Sequence, residues 1–214
     1  MPVAAPVRLS SFEIPGPAGP LEALLRSPAV PVGAALVAHP HPRLGGTMRT
    51  KVVHRTARLL SGRFSLAALR FQFRGVGSSA GTYGGGAGET EDVVAAGRWL
   101  RARQKDGPFV LSGFSFGALC ALRAAERLVP EVLLLIGVPT DKDEPEGVVP
   151  AETQVAWIQG GDDEFSSAAR AREIAAARGW RFLVVPGADH FFSGRLGEFE
   201  SMTGDALAAW LPVT

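Results

Sequence analysis

The sequence predicts an α/β fold with an eight-stranded, mostly parallel sheet and helices on both faces, and three observations carry that prediction. Short β-branched and leucine-rich runs alternate with Ala-, Arg- and Glu-rich segments of helical period. From the third run onward the apolar stretches are near-continuous, as expected of parallel strands covered on both faces. The first two runs have no helical segment between them, only the turn-forming Pro15–Pro20, so they form an antiparallel hairpin at one edge.

In chain order the strands are expected at Val7–Ile14, Leu21–Arg26, Gly33–Ala38, Ser65–Phe73, Phe109–Gly113, Val132–Val138, Gln154–Gln159 and Arg181–Val185. Helices are expected at Thr47–Leu60, Thr90–Arg103, Phe116–Leu128, Ser166–Arg178 and Gly197–Leu211, several punctuated by Gly62, Gly107, Pro130 and Gly179. No repeat of fixed period and no long polar linker interrupts the chain, so residues 1–214 read as a single domain.

Composition excludes several classes. With 46% hydrophobic and 20% charged residues the chain can bury a full core, which removes disordered and low-complexity readings. A net charge of +1, from 22 Lys+Arg against 21 Asp+Glu, gives no field suited to tracking phosphates, so nucleic acid is not an expected partner. Cys120 is the one cysteine, which rules out an intrachain disulfide and suits a reducing compartment. Its apolar neighbours Ala118, Leu119, Ala121 and Leu122 mark it as a small buried hydrophobe. The N-terminus, with Pro2, Pro6, Pro15, Pro17 and Pro20, has no signal-peptide core, and the apolar runs fall well short of the roughly 20 residues that span a bilayer. The expectation is a soluble, cytoplasmic protein without a membrane partner.

The chemistry concentrates at Gly113-Phe114-Ser115-Phe116-Gly117, which follows one strand directly and enters an alanine-rich helix. A nucleophile elbow needs that context: small neighbours allow the sharp turn that exposes the hydroxyl, and the helix aims its first N–H groups at a developing oxyanion. The pattern alone is weak in a chain with 26 glycines. A second copy, Gly77-Ser78-Ser79-Ala80-Gly81, runs into Gly84-Gly85-Gly86 and not into a helix, so Ser79 is rejected as a nucleophile. Gly75, Gly77 and Ala80 imitate a dinucleotide fingerprint, but no helix starts there and the preceding strand is not the first.

A serine hydroxyl needs a base, and the base a carboxylate. The strand Gln154–Gln159 ends in Gly160-Gly161-Asp162-Asp163-Glu164, and the strand Arg181–Val185 ends in Pro186-Gly187-Ala188-Asp189-His190. Both reach the C-terminal edge of the sheet in the order Ser, acid, His. Of the four histidines, His54 lies mid-helix, whereas His190 follows a short turn after the last strand and is the expected base. Asp189 reads as a loop hydrogen-bond acceptor. Spacing alone does not separate Asp162 from Asp163.

Together with His39-Pro40-His41-Pro42, Gly45-Gly46-Thr47-Met48, Phe73-Arg74-Gly75-Val76-Gly77-Ser78, Gly86-Ala87-Gly88-Glu89 and Gly187-Ala188-Asp189-His190-Phe191-Phe192, these motifs resemble the small, lid-less serine hydrolases of the α/β-hydrolase superfamily, in the manner of esterases and dienelactone hydrolases. The resemblance runs over nearly the whole chain and implies an α/β-hydrolase fold without a cap domain. It implies Asp163 as the acid, three residues after the glycine ending its strand. It also implies a second oxyanion donor after the third strand. Pro40 and Pro42 lack an N–H, so the backbone amides of His41 and Phe116 are the expected pair. Gln159 departs from the family, where many relatives carry His, with no expected effect on the chemistry. An H-x-H metal pair at His39 and His41 lacks further well-placed ligands. No cofactor or metal is expected.

The segment Pro139–Glu152, acidic through Asp141, Asp143, Glu144 and Glu146, is too short for a helical cap, which favours small soluble esters. Phe114, Phe116, Phe191 and Phe192 flank the nucleophile and base, and Phe191 and Phe192 are expected to line the acyl pocket. No acidic residue lies between Glu22 and Glu89, a stretch that holds Arg26, Arg43, Arg49, Lys51, Arg55, Arg58, Arg63, Arg70 and Arg74. Those cations either steer anionic esters or pair with Glu198, Glu200 and Asp205 of the last helix. The expected function is carboxylic ester hydrolysis through an acyl-enzyme. Thioesterase, peptidase, acyltransferase and non-catalytic scaffold are the alternatives, with a small-molecule substrate as partner and a homodimer possible.

Overall fold

The computed structural model describes residues 7–140 and 144–213; Pro2, Pro6, Asp141 and Asp143 lie outside the described residues. The strands are β1 (Val7–Ile14), β2 (Leu21–Pro28), β3 (Gly33–Ala38), β4 (Leu66–Phe71), β5 (Phe109–Phe114), β6 (Val132–Ile136), β7 (Gln154–Gly160) and β8 (Arg181–Val185). The helices are α1 (Lys51–Arg63), α2 (Ala87–Arg103), α3 (Phe116–Leu128), α4 (Ala168–Ala177) and α5 (Leu196–Leu207), with a 3₁₀ turn at Pro42–Leu44. One sheet holds all eight strands in the order β1-β2-β4-β3-β5-β6-β7-β8. The β1–β2 and β2–β4 pairs are antiparallel and the other neighbours are parallel, so the hairpin closes one edge as expected.

The apolar runs are continuous because successive side chains serve two cores. Ala34, Leu36, Leu111, Leu133, Leu135 and Trp157 pack toward α2, α3 and α4. Ala35, Val37, Val110, Leu134, Ile136 and Ile158 pack toward α1 and α5. No helix among the described residues is long and apolar enough to cross a membrane.

Several boundaries differ from expectation for local reasons. Helix α1 begins at Lys51 and not Thr47, because the Thr47 N–H is taken by Thr50 Oγ1 in a turn. Helix α2 begins earlier, at Ala87, since the Glu89 carboxylate accepts the N–H groups of Gly84 and Gly86 at 2.8 and 2.7 Å and organises its first turn. Strand β4 stops at Phe71, and the next N–H groups turn to the Glu22 carbonyl and to His39 Nε2.

The chain reverses its winding direction at β3, which lies between β4 and β5. The carboxyl ends of β3 and β5, paired at Ala38 and Gly113, therefore face the crevice in which such sheets hold ligands. Backbones touch there. A Cβ on Gly113 would strike the Gly117 carbonyl, and one on Gly117 would meet the Ala38 carbonyl oxygen at 2.6 Å and the His39 carbonyl more closely still. Gly117→Ala is expected to lower stability by about 1–3 kcal/mol in denaturant melts. Gly62→Ala, at a helical position with open space around it, should be neutral or stabilising by up to about 1 kcal/mol.

Candidate active site

Ser115 stands between β5 and α3 with φ 57 and ψ −121, a conformation that only strong surroundings hold in a residue with a Cβ. Its N–H donates to the Ile136 carbonyl at the end of β6, at 2.8 Å, while its own carbonyl accepts from Ala118 and Leu119 in the first turn of α3. The second serine motif behaves otherwise. Ser79 Oγ accepts from the Glu22 N–H and donates to the Gln72 carbonyl, both at 2.9 Å, so it fastens a loop to β2.

The loops after β7 and β8 bring Asp163 and His190 to this serine. His190 Nε2 lies 2.9 Å from Ser115 Oγ, and His190 Nδ1 lies 2.8 Å from Asp163 Oδ2. With the carboxylate as acceptor, Nδ1 carries the ring proton and Nε2 accepts from the serine hydroxyl. The loops also hold each other: the Asp162 N–H donates to Ala188, and the His190 N–H donates to the Glu164 carboxylate at 3.1 Å. Asp162 is exposed, so of the two adjacent aspartates it is Asp163 that the structure sets against His190. Asp189 accepts from the Ser193 N–H, which pulls its carboxyl below the usual carboxylate range, and it stays outside this chain of bonds.

Gln159 is closer to this chemistry than its sequence position suggested. It is fully buried, and its Nε2 donates to Asp163 Oδ2 at 2.6 Å, the same oxygen that takes the His190 proton. The Trp157 indole N–H, which can only donate, meets Gln159 Oε1 at 2.9 Å and so turns the amide NH₂ toward Asp163. The Phe165 N–H holds the other carboxylate oxygen at 2.8 Å.

Across the site, the amide N–H groups of His41 and Phe116 have no protein acceptor among the described residues, and the two rings lie 4.7 Å apart. His41 Nδ1 accepts from the Arg43 N–H, which leaves Nε2 to donate to Tyr83 Oη at 3.1 Å. Tyr83 escaped the sequence reading; a lone tyrosine in a glycine-rich loop beside the site is the signal that was there to find. His39 spends both nitrogens on main chain. Nδ1–H donates to the Pro40 carbonyl at 2.7 Å and Nε2 accepts from the Phe73 N–H at 3.0 Å, which leaves no lone pair for a metal. Burial takes its pKa down from 6.5 to about 4. Cys120 is buried and its thiol is pushed up to about 12, as an inert core residue should be.

The aromatic expectation needs correction. Phe192 is fully buried against Phe199 and has no surface to offer an acyl chain, and Phe114 is equally buried against His190. Phe191 remains at the surface, 45% exposed, and Phe165, which the sequence reading passed over, is 46% exposed. Both present themselves edge-to-face with the His190 ring, at 5.2 and 4.8 Å between centroids.

The segment between β6 and β7 forms no helix among its described residues. Its described part is strapped sideways to α3 and α4 through Glu144–Arg170, the Pro145 carbonyl with Arg178, and Gly147 against Leu122. The early run of cations is largely engaged elsewhere. Arg55 and Arg58 pair with Glu200, Arg63 with Asp205, Arg74 with buried Asp92 and Arg49 with Glu22, while Glu198 pairs with Arg195.

An elbow serine, a histidine and an aspartate joined in this way at the C-terminal edge of such a sheet define an α/β hydrolase. A lid-less α/β serine hydrolase from Xanthomonas campestris superposes with a TM-score of 0.90, at 34% identity over 100% of both chains. An α/β serine hydrolase homologue from Coxiella burnetii superposes at 0.85, with 32% identity over 97% of this chain and 100% of its own. An uncharacterised protein of Rickettsia prowazekii is 33% identical over 208 residues, covering 90% of this chain and 86% of its own. No family model matches the chain. The chain belongs to the lid-less α/β serine hydrolases and is a hydrolase by class.

Gln159→Leu should cost about 2 kcal/mol or more in denaturant unfolding, because it strands the buried Trp157 N–H and removes a donor from Asp163. His39 gives stability a pH dependence. Its folded pKa of about 4 lies below the ordinary 6.5, so the contribution is complete above pH 6.5 and fades toward pH 4 as the unfolded chain takes up the proton. The loss amounts to about 3 kcal/mol, and the less stable His39→Gln variant should show a flatter profile across that interval in melts at stepped pH.

Proposed function

We propose that the protein is a serine carboxylesterase that cleaves esters of small, accessible substrates through an acyl-enzyme. The observation that carries this reading is the unbroken chain from Ser115 Oγ through His190 to Asp163, at 2.9 and 2.8 Å. Ser115 Oγ attacks the ester carbonyl as His190 Nε2 takes its proton; the tetrahedral oxyanion sits on the amides of Phe116 and His41. Collapse expels the alcohol, which leaves with the proton from His190. Water then repeats the sequence and frees the acid. Asp163 acts through His190, holding its tautomer and balancing the imidazolium charge. Gln159 and the Phe165 amide keep that carboxylate from turning away. The anchoring of Glu144, Pro145 and Gly147 on the α3 and α4 side supports an open site that takes substrate without a lid movement. The buried, inert Cys120 suits a cytoplasmic setting.

The test is hydrolysis of p-nitrophenyl esters from acetate to decanoate. Turnover of the short chains is expected, indifferent to EDTA, abolished in Ser115→Ala and reduced by about 10⁴-fold in Asp163→Asn. Activity that survives Ser115→Ala, or no activity on any ester, overturns the reading.

A further inference from the structure

We propose that Phe165 and Phe191 form a leaving-group slot, so that the enzyme selects esters of uncharged aromatic alcohols; this rests on the esterase reading above. In acyl transfer from an ester to Ser115, the proton taken by His190 Nε2 is returned to the departing alcohol oxygen. That oxygen must come within hydrogen-bond reach of Nε2, so whatever flanks the imidazole touches the alcohol portion of the substrate. The flanking groups are Phe165 and Phe191, each edge-to-face with the imidazole and each nearly half exposed. Phe191 is backed at 5.7 Å by buried Phe114, which also packs on His190, and the Phe165 N–H is tied at 2.8 Å to Asp163, which also holds His190, so both rings sit against groups that place the base. Two large apolar rings left open beside a reacting atom offer a surface that a substrate group can cover, and offset or edge-on stacking favours a planar ring.

Charge narrows the class. The loops that carry these rings, residues 160–167 and 186–194, hold Asp162, Asp163, Glu164 and Asp189 and no Lys or Arg. The flanking cations Arg170 and Arg195 are paired with Glu144 and Glu198. A carboxylated alcohol is therefore repelled on this side, whereas a neutral aryl or benzyl alcohol is not. Phe191, expected from sequence in the acyl pocket, is thereby assigned to the opposite end of the ester.

Acetate esters with a common acyl group isolate the slot: benzyl, cyclohexylmethyl, 4-carboxybenzyl and methyl acetate, with methyl hexanoate to vary the acyl side. Benzyl acetate should exceed methyl and 4-carboxybenzyl acetate in kcat/KM by about tenfold or more, and cyclohexylmethyl acetate by a smaller factor. Phe165→Ala and Phe191→Ala should each erase most of the benzyl advantage and leave the ratio of methyl hexanoate to methyl acetate within about twofold of wild type. A benzyl preference that survives both variants, or variants that change the acyl ratio instead, overturns the slot and leaves the esterase reading standing. Failure of wild type on all five esters removes both. Circular dichroism of each variant separates loss of fold from loss of selectivity.

Discussion

The site depends on one constraint: the left-handed backbone of Ser115 must be held against its preference for relaxation. Three strand ends hold it. The β6 terminus accepts its N–H, the glycine on its β5 side gives way to the Gly117 carbonyl, and Gly117 itself lies against the last carbonyls of β3. None of these contacts involves a side chain that rotates. Ser115 is therefore positioned by the sheet itself, and the register Ala38–Gly113 and Phe114–Ile136 is as much part of the site as the serine.

His190 and Asp163 are held differently, by loops that interlock through main-chain and carboxylate bonds. Behind them a buried polar path runs from the Trp157 indole through Gln159 to Asp163. Each donor in that path has one possible acceptor, so its direction is fixed without ambiguity. A buried carboxylate with fewer partners would carry a desolvation cost that this arrangement offsets.

Most of the fold was legible in the sequence because its signals are local. Strand runs, glycine punctuation and the missing helix between the first two strands each follow from neighbouring residues. Ser115 and His190 were legible for the same reason, as was the rejection of Ser79. What escaped was three-dimensional. Gln159 lies on a strand where a side chain pointing inward gives no hint of its partner, and Phe165, one apolar residue beside Asp162, Asp163 and Glu164, carries no local signal of its place beside His190. Phe191 and Phe192 are adjacent in sequence, yet the positive φ of Phe192 sends one to the surface and the other into the core. The choice of Asp163 over Asp162 likewise came from the resemblance and then from geometry, not from spacing.

The strap of residues 144–147 along α3 and α4 bears on how such an enzyme would keep time. Hydrolases that close over their substrate alternate between admitting it and shielding it, and the hinge sets the rhythm. A crossing segment held to its flank at Glu144, Pro145 and Gly147 is not placed to take part in such an alternation. On the acyl-enzyme route proposed above, an intermediate on Ser115 would be reached by water with no segment having to move aside first. Discrimination would then fall on first encounter, to the side chains that the incoming molecule meets beside His190.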